Sequence, residues 1–375
     1  VTMHDAGTLA PARPSPATRP APRELVASLP VYSKAGGTVP PRWRASSNES
    51  FLPPSAAVLA AIDAAARRCQ QYPTLQGDPL VAALSRGLGV DEGQIVAGAG
   101  SLAVLQQLLT AFTGPGTEVV FAWRSYEAYP ILVRLAGARD VQVPLAPGHR
   151  HDLAAMAGAV TDATAAVILC SPNNPTGTVL TEAEVEGILA RIPAHVLVVL
   201  DQAYLEFTDG AGSSSAHSLA LLEAHSNLVI LRTFSKAYGL AGLRAGYLVA
   251  HPEIAAAVRA ASPPFGLNAI AEAAAVAALA DTGALGRNLA TVVEGRTSFH
   301  AALASRGLEL PASGANFLWL PVGQGAASLE AACLAEGVSV RSFAGEGVRV
   351  TVGSRDAEAA VLRGVDAWLA GGGKI

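Results

Sequence analysis

The sequence predicts an α/β protein in which a large unit, built on a mostly parallel central sheet between helices, precedes a smaller α+β unit. Three observations carry the prediction. Short runs rich in valine, isoleucine and leucine alternate with helical periodicity between Ser55 and Arg232. Strands of that composition suit a parallel sheet covered on both faces. Polar motifs follow the ends of three of these runs, where open α/β sheets place their ligands. After Pro263-Pro264 the alternation stops, and a long helical stretch leads into short separated strands.

Taken in order, residues 1–23 hold Pro11, Pro14, Pro16, Pro20 and Pro22 among Ala, Arg and Ser. Such a segment buries too little apolar surface to offset ordering entropy and is expected to be a disordered tail. Residues 24–54 are expected to be an N-terminal arm that joins the small unit. Residues 55–262 are assigned to the large unit and 263–375 to the small C-terminal unit. Helical periodicity fits Ser55–Gln71, Pro79–Gly87 and Leu102–Phe112. Strands are expected at Glu118–Phe121, Asp140–Val143, Ala166–Cys170, Val196–Asp201 and Leu228–Arg232. Helices intervene at Tyr126–Ala136, Leu153–Ala159, Glu182–Arg191 and Ser218–Ala224. Asn268–Leu303 reads as one long helical stretch, followed by strands at Asn316–Leu320, Val338–Ser342 and Val348–Val352. Gly371-Gly372-Gly373 is expected to fray.

Composition narrows the function. With 375 residues, 51% hydrophobic and 15% charged, a sizeable core is available and wholesale disorder is excluded. The net charge of −4 argues against a nucleic-acid binder. Cys69, Cys170 and Cys333 lie far apart without CxxC spacing, so neither a disulfide scaffold nor a zinc site is expected, and a reducing cytoplasm is the default. No apolar run reaches the ~18 residues of a membrane span, and no secretory signal is expected. His149 and His151 read as an exposed loop pair, and Cys170 as buried core.

The chemistry concentrates after three strands. Thr233-Phe234-Ser235-Lys236 follows the first, and Arg244 closes the same segment. A lysine there is either an ordinary loop residue or, if burial and nearby cations lower its pKa, a nucleophilic amine. Thr233, Ser235 and Arg244 offer hydroxyls and a guanidinium suited to phosphate. A lysine amine beside phosphate ligands is the arrangement pyridoxal phosphate requires. Asp201 ends a second strand, where a carboxylate is costly unless paired, and the cofactor's pyridinium nitrogen would pair it. Tyr204 and Asn174 could each meet the ring's phenolic oxygen, although the Pro172–Gly177 segment also satisfies plain turn chemistry. Gly98-Ala99-Gly100-Ser101 runs into a helix N-terminus and presents amide hydrogens to an anion.

These motifs, with Ala45–Glu49, Gln71-Tyr72-Pro73 and Arg349–Gly353, make the chain resemble a fold-type I, pyridoxal-phosphate-dependent aminotransferase. Within that superfamily it is similar to the histidinol-phosphate and aromatic aminotransferase branch, over about Leu25 to Leu369. The resemblance implies that Lys236 carries the cofactor as a Schiff base and shuttles the Cα proton. It implies that Asp201 pairs with the ring nitrogen, Asn174 and Tyr204 with the phenolate oxygen, and that Tyr126 stacks on the ring. Gly100, Ser101, Thr233, Ser235 and Arg244 would hold the phosphate. Tyr72 would reach the phosphate of a neighbouring subunit, which implies a homodimer with shared sites. Arg349 would bind the substrate α-carboxylate or a substrate phosphate, with Tyr32, Glu49, Leu102 and Asn316 on the substrate side.

Two departures from the pattern matter. Gln202 stands where the ring-nitrogen motif usually has glutamate. Leu102 and Ala103 follow Ser101 where histidinol-phosphate enzymes place Asp or Asn and then Glu. The second departure, with Trp123–Pro130, favours an aromatic L-amino acid such as phenylalanine or tyrosine as amino donor and a 2-oxo acid such as 2-oxoglutarate as acceptor. Histidinol phosphate is the alternative donor, and a decarboxylase or lyase on the same scaffold is a further one.

Overall fold

The computed structural model describes residues 22, 24–27, 29, 40–208 and 214–374. Tyr32 and nearly all of the proline-rich tail lie outside the described residues.

A seven-stranded sheet organises the large unit. Its strands are β2 (Ile95–Gly98), β3 (Glu118–Trp123), β4 (Arg139–Pro144), β5 (Thr164–Cys170), β6 (Leu197–Asp201), β7 (Leu228–Thr233) and β8 (Gly246–Ala250), in spatial order β2-β8-β7-β6-β5-β3-β4. All run parallel except β8, which is antiparallel to both β2 and β7. The period-two alternation of each strand splits its apolar residues between two cores. Val120, Val167, Val198 and Ile230 pack on one face with the helices Asp78–Leu88 and Glu182–Leu189. Phe121, Ile168, Val199 and Leu231 pack on the other with the helix Ser101–Phe112.

The C-terminal unit is an antiparallel sheet, β11-β12-β9, made of Arg341–Phe343, Gly347–Thr351 and Phe317–Leu320. It carries its own core with Phe299, Leu329, Val361 and Trp368. The segment near residue 45 joins it, because β1 (Trp43–Arg44) pairs with β10 (Val338–Ser339) and Thr351 N donates to Ala45 O at 2.9 Å.

Four sequence readings need correction. Val338–Ser342 is two strands in different sheets, separated at Val340. The long stretch Asn268–Leu303 is two helices, Ala269–Ala280 and Thr282–Ala304, bent by 82°. The break has a local cause: the Asp281 side chain accepts from Ala284 N at 3.1 Å and caps the second helix. The first of these helices packs Ala271, Ala274, Ala275 and Ala278 into the large unit's core, so packing groups it with residues before 263. The C-terminal glycines are tied down, since Gly373 N donates to Trp368 O at 2.9 Å. His151 is buried rather than exposed, and His149 lies edge-on to Trp319 at 6.2 Å. Among the described residues no His, Cys, Asp and Glu group could hold a metal, and no single helix is long and apolar enough to cross a membrane.

Candidate active site

Parallel pairing brings the C-terminal ends of β2, β3, β5, β6 and β7 to one edge of the large sheet. Arg244, just before the antiparallel β8, reaches the same edge, because Gly246 is in register with both Gly98 and Thr233. Arg341 on β11, Arg349 on β12 and the Arg44–Glu49 segment complete the wall. The result is a cavity of about 550 Å³. Its wall holds Ser101, Leu102, Tyr126, Asn174, Asp201, Tyr204, Thr233, Ser235, Lys236, Arg244, Arg349 and Glu49.

Lys236 projects from the turn after β7 and is half-buried. Its Nζ donates to Ser47 O at 3.1 Å and Asn48 O at 3.2 Å. Burial pushes its pKa down to about 7, helped by the charges of Arg349 and Arg244 and opposed by Glu49. A substantial neutral fraction therefore exists near pH 7, which a nucleophilic amine needs.

Asp201 is buried at the end of β6. Burial raises its pKa to about 6, while hydrogen bonds from Tyr129 and from Ala203 N act the other way. Tyr129 Oη donates to Asp201 Oδ2 at 2.7 Å, and Ala203 N to Oδ1 at 3.2 Å. Two donors thus fix a carboxylate that gains most from a cationic partner.

Asn174 and Tyr204 are held by other side chains. Asn174 Oδ1 accepts from Arg349 Nη1, which leaves the amide hydrogens as the donors of that group. Tyr204 Oη accepts from Asn48 Nδ2 at 2.9 Å. Arg349 also donates to Ser46 O, and its guanidinium lies 5.5 Å from the Phe317 ring centre.

An anion cradle lies at the other end. Ser101 opens a twelve-residue helix whose N-cap, Gly100, offers no side-chain cap, so the first amides are available to an anion. Arg244 Nη1 donates to Ser235 Oγ at 3.2 Å, and Ser235 N to Thr233 Oγ1 at 3.1 Å. Gly100 has φ 89°, and a Cβ there would stand 2.5 Å from Arg244 Nη2. At Gly246 a Cβ would stand 2.2 Å from Ser101 N. Both glycines let the backbone and the guanidinium converge. A phosphate end at this cradle, an amine beside it and a buried carboxylate opposite fit pyridoxal phosphate. Gly100→Ala is expected to weaken cofactor affinity at least tenfold, since strain at positive φ alone costs about 1–3 kcal/mol. A fluorescence titration of the cofactor-free protein measures it.

Not every expected residue lines the cavity. Asn316 donates to Asn48 O at 3.2 Å and borders a small void with Glu49 and Lys236, off the main cavity. Glu49 does line the cavity and pairs with Arg44 at 2.7 Å. Tyr72 is 83% exposed and stacks on Phe265 at 4.8 Å, away from its own cavity. Leu102 both faces the cavity and packs against the core beneath it. Gln202 turns away from the cavity: it donates to Ser218 Oγ at 2.7 Å and accepts from Arg232 Nη2 at 2.9 Å. An amide here satisfies both neighbours, so the departure from glutamate leaves Asp201 undisturbed.

The sequence reading passed over Tyr129 and Asn48. Tyr129 opens the helix Tyr129–Leu135, its N donating to Tyr126 O at 2.9 Å, so it lies one turn past a residue the motif already names. Asn48 joins Tyr204, Lys236 and Thr351, with Thr351 Oγ1 donating to its Oδ1 at 3.1 Å. Its φ of 55° is one asparagine tolerates, yet no local pattern flags it.

Residues 45–364 match the family described as aminotransferase class I and II. Among similar proteins is the aromatic amino acid aminotransferase of Streptomyces coelicolor, 46% identical over 350 residues, spanning 92% of this chain and 97% of that protein. The protein of the same name from Thermobifida fusca is 46% identical over 343 residues, 91% of this chain and 95% of its own. Among solved structures, histidinol-phosphate aminotransferase from Sinorhizobium meliloti, in complex with pyridoxal-5'-phosphate, superposes with a TM-score of 0.82 at 29% identity, covering 91% of this chain and 95% of that one. A Thermus thermophilus aspartate aminotransferase mutant shares the fold at a TM-score of 0.78 and 22% identity, covering 93% of this chain and 99% of that one.

Proposed function

The chain belongs to the class I and II aminotransferases, and from that premise we propose that it moves the amino group of an aromatic L-amino acid, of the phenylalanine or tyrosine type, to a 2-oxo acid such as 2-oxoglutarate. The observation that carries the reading is the convergence of Lys236, Asp201, Arg349 and the Gly100–Arg244 cradle on one cavity. Relatives bearing the aromatic name, at 46% identity over nearly the whole chain, support the substrate class.

Pyridoxal phosphate, when bound, supplies an aldehyde for the substrate amine and a ring that stores the electron pair freed at Cα. The chain's own residues do the rest. Ser101, Thr233, Ser235 and Arg244 hold the phosphate end, with Gly100 leaving the guanidinium room to reach it. Asp201, held by Tyr129, would keep the ring nitrogen protonated. The Asn174 amide and the Tyr204 hydroxyl would meet the phenolic oxygen, and Tyr126 would cover the ring. Arg349, oriented by Asn174 and Ser46, binds the α-carboxylate in the two-pronged manner of a guanidinium. Lys236 Nζ, neutral in part near pH 7, would accept the proton from the substrate Cα and donate it to the cofactor's C4′ carbon. Leu102 supplies apolar wall beside the side-chain pocket, where an aromatic ring gains more than a charged group.

A homodimer with shared sites belongs to this reading. Its support is the grouping of exposed Tyr72, Leu75 and Phe265, tied together by the ring stack and by Phe265 N donating to Leu75 O at 3.2 Å. Tyr72 would then reach the neighbour's phosphate. A reducing, cytoplasmic setting is also part of it, supported by three unbridged cysteines.

Steady-state assays of the holoenzyme against a panel of donors test the substrate. Phenylalanine and tyrosine are expected to give the highest kcat/KM. A higher value for histidinol phosphate would replace the aromatic reading, and carbon dioxide release without amino transfer would replace the reaction class.

A further inference from the structure

Two arginines stand side by side on the cavity's small-unit wall. Arg341 on β11 is in register with Arg349 on β12, and both line the cavity. Like charges directly opposite on paired strands repel unless something compensates them. The two are held differently. Arg349 donates to the Asn174 amide oxygen and the Ser46 carbonyl, both neutral acceptors. Arg341 donates to both oxygens of Glu127: Nη2 to Oε1 and Oε2 at 3.0 Å each, and Nε to Oε2 at 3.3 Å. Both side chains are mostly buried, 16% and 26% exposed, so water screens the pair little.

Glu127 comes from the loop after β3, directly after Tyr126. The pair therefore crosses from the large unit to the small one at the cavity wall. A second pair crosses beside it: Arg124 Nε donates to Glu346 Oε1 at 3.0 Å, from the same loop to the turn between β11 and β12. The wall is braced twice, but of these two arginines only Arg341 lines the cavity.

We infer that Glu127 is a specificity-determining residue: by neutralising Arg341 it leaves the cavity with a place for the substrate's α-carboxylate and none for a second anion on the side chain. The inference rests on the proposed amino-transfer reading of this site and deepens it. An aromatic side chain loses nothing to the Glu127–Arg341 pair. A side-chain carboxylate meets the Glu127 charge and gains Arg341 only by displacing it. A dicarboxylic acceptor such as 2-oxoglutarate faces the same competition and binds more weakly than an open guanidinium would allow.

The test compares wild-type holoenzyme with Glu127→Gln, and with Glu127→Gln combined with Arg341→Met. Donors are phenylalanine and glutamate, and the acceptor is 2-oxoglutarate. Glutamine keeps the size of the side chain and can still accept one hydrogen bond. In Glu127→Gln the kcat/KM ratio of glutamate to phenylalanine is expected to rise about tenfold, mainly through a lower KM for glutamate. The KM for 2-oxoglutarate should fall with it, while phenylalanine kcat stays within about twofold. The double variant should lose the gain. An unchanged ratio, an equal loss for both donors, or a gain that survives Arg341→Met would each overturn the inference. Failure of the wild type to use any aromatic donor would instead sink the substrate reading, and is visible before any variant is made.

Discussion

Lys236→Ala is expected to abolish amino transfer, by at least about 10³-fold, with the fold intact. In the proposed reaction Lys236 would do two things that no neighbour can take over, holding the cofactor covalently and moving the Cα proton. The chain has only three lysines, Lys34, Lys236 and Lys374. Lys374 stands at the far end of the chain from β7, after the helix Arg355–Ala370. Lys236 is half-buried, and its amine rests on the carbonyls of Ser47 and Asn48. Circular dichroism and thermal melting should therefore match the wild type, while activity vanishes. The lowered pKa adds a second readout. In cofactor-free protein, the rate at which an acylating reagent modifies Lys236 should rise with pH and level off above about 7, because only the neutral amine attacks.

Asp201→Ala is the second large effect. It should lower kcat by about 10²–10³-fold, the size of removing one partner of a buried charge pair. The carboxylate's worth depends on burial, which raises its pKa to about 6 in the unpaired protein. A positively charged ring nitrogen would reverse that cost, and the ionised carboxylate would in turn keep the nitrogen protonated. Removing Asp201 also takes from the buried Tyr129 hydroxyl its 2.7 Å charged acceptor, leaving it only the weak Cys170 thiol beside it. The result should be weaker cofactor retention on gel filtration as well as slower turnover. A variant that binds cofactor normally and turns over at the wild-type rate would remove Asp201 from the mechanism.

Much of this site was legible in the sequence because its residues sit at the ends of strands. A strand such as Leu228–Thr233 announces itself by composition, and whatever polar residue follows it must emerge at the sheet edge. That logic reached Asn174, Asp201, Lys236 and Ser101 without any tertiary information. It missed β8, whose five residues follow a glycine- and leucine-rich turn and run against the other strands. It also read through Asp281, although an Asp followed by Thr and Gly is a helix-start signal.

What stayed hidden are the pairings between distant segments. Asn48 and Tyr204 are 156 residues apart, and Glu127 and Arg341 are 214 apart. Nothing local to Glu127 distinguishes it from a solvated loop carboxylate. Only the fold places it against an arginine on the cavity wall. Tyr32 falls outside the described residues, so its expected substrate role rests on the sequence resemblance.

The most direct test of the central claim is a single half-reaction. Purified holoenzyme, free of 2-oxo acid, is mixed with phenylalanine while the cofactor's absorbance is followed. The band of the lysine-bound cofactor is expected to give way to that of pyridoxamine phosphate as phenylpyruvate forms in equal amount, and Lys236→Ala is expected to show no such conversion. A wild-type band unmoved by phenylalanine and tyrosine alike, or a Lys236→Ala protein that converts as fast, would contradict it.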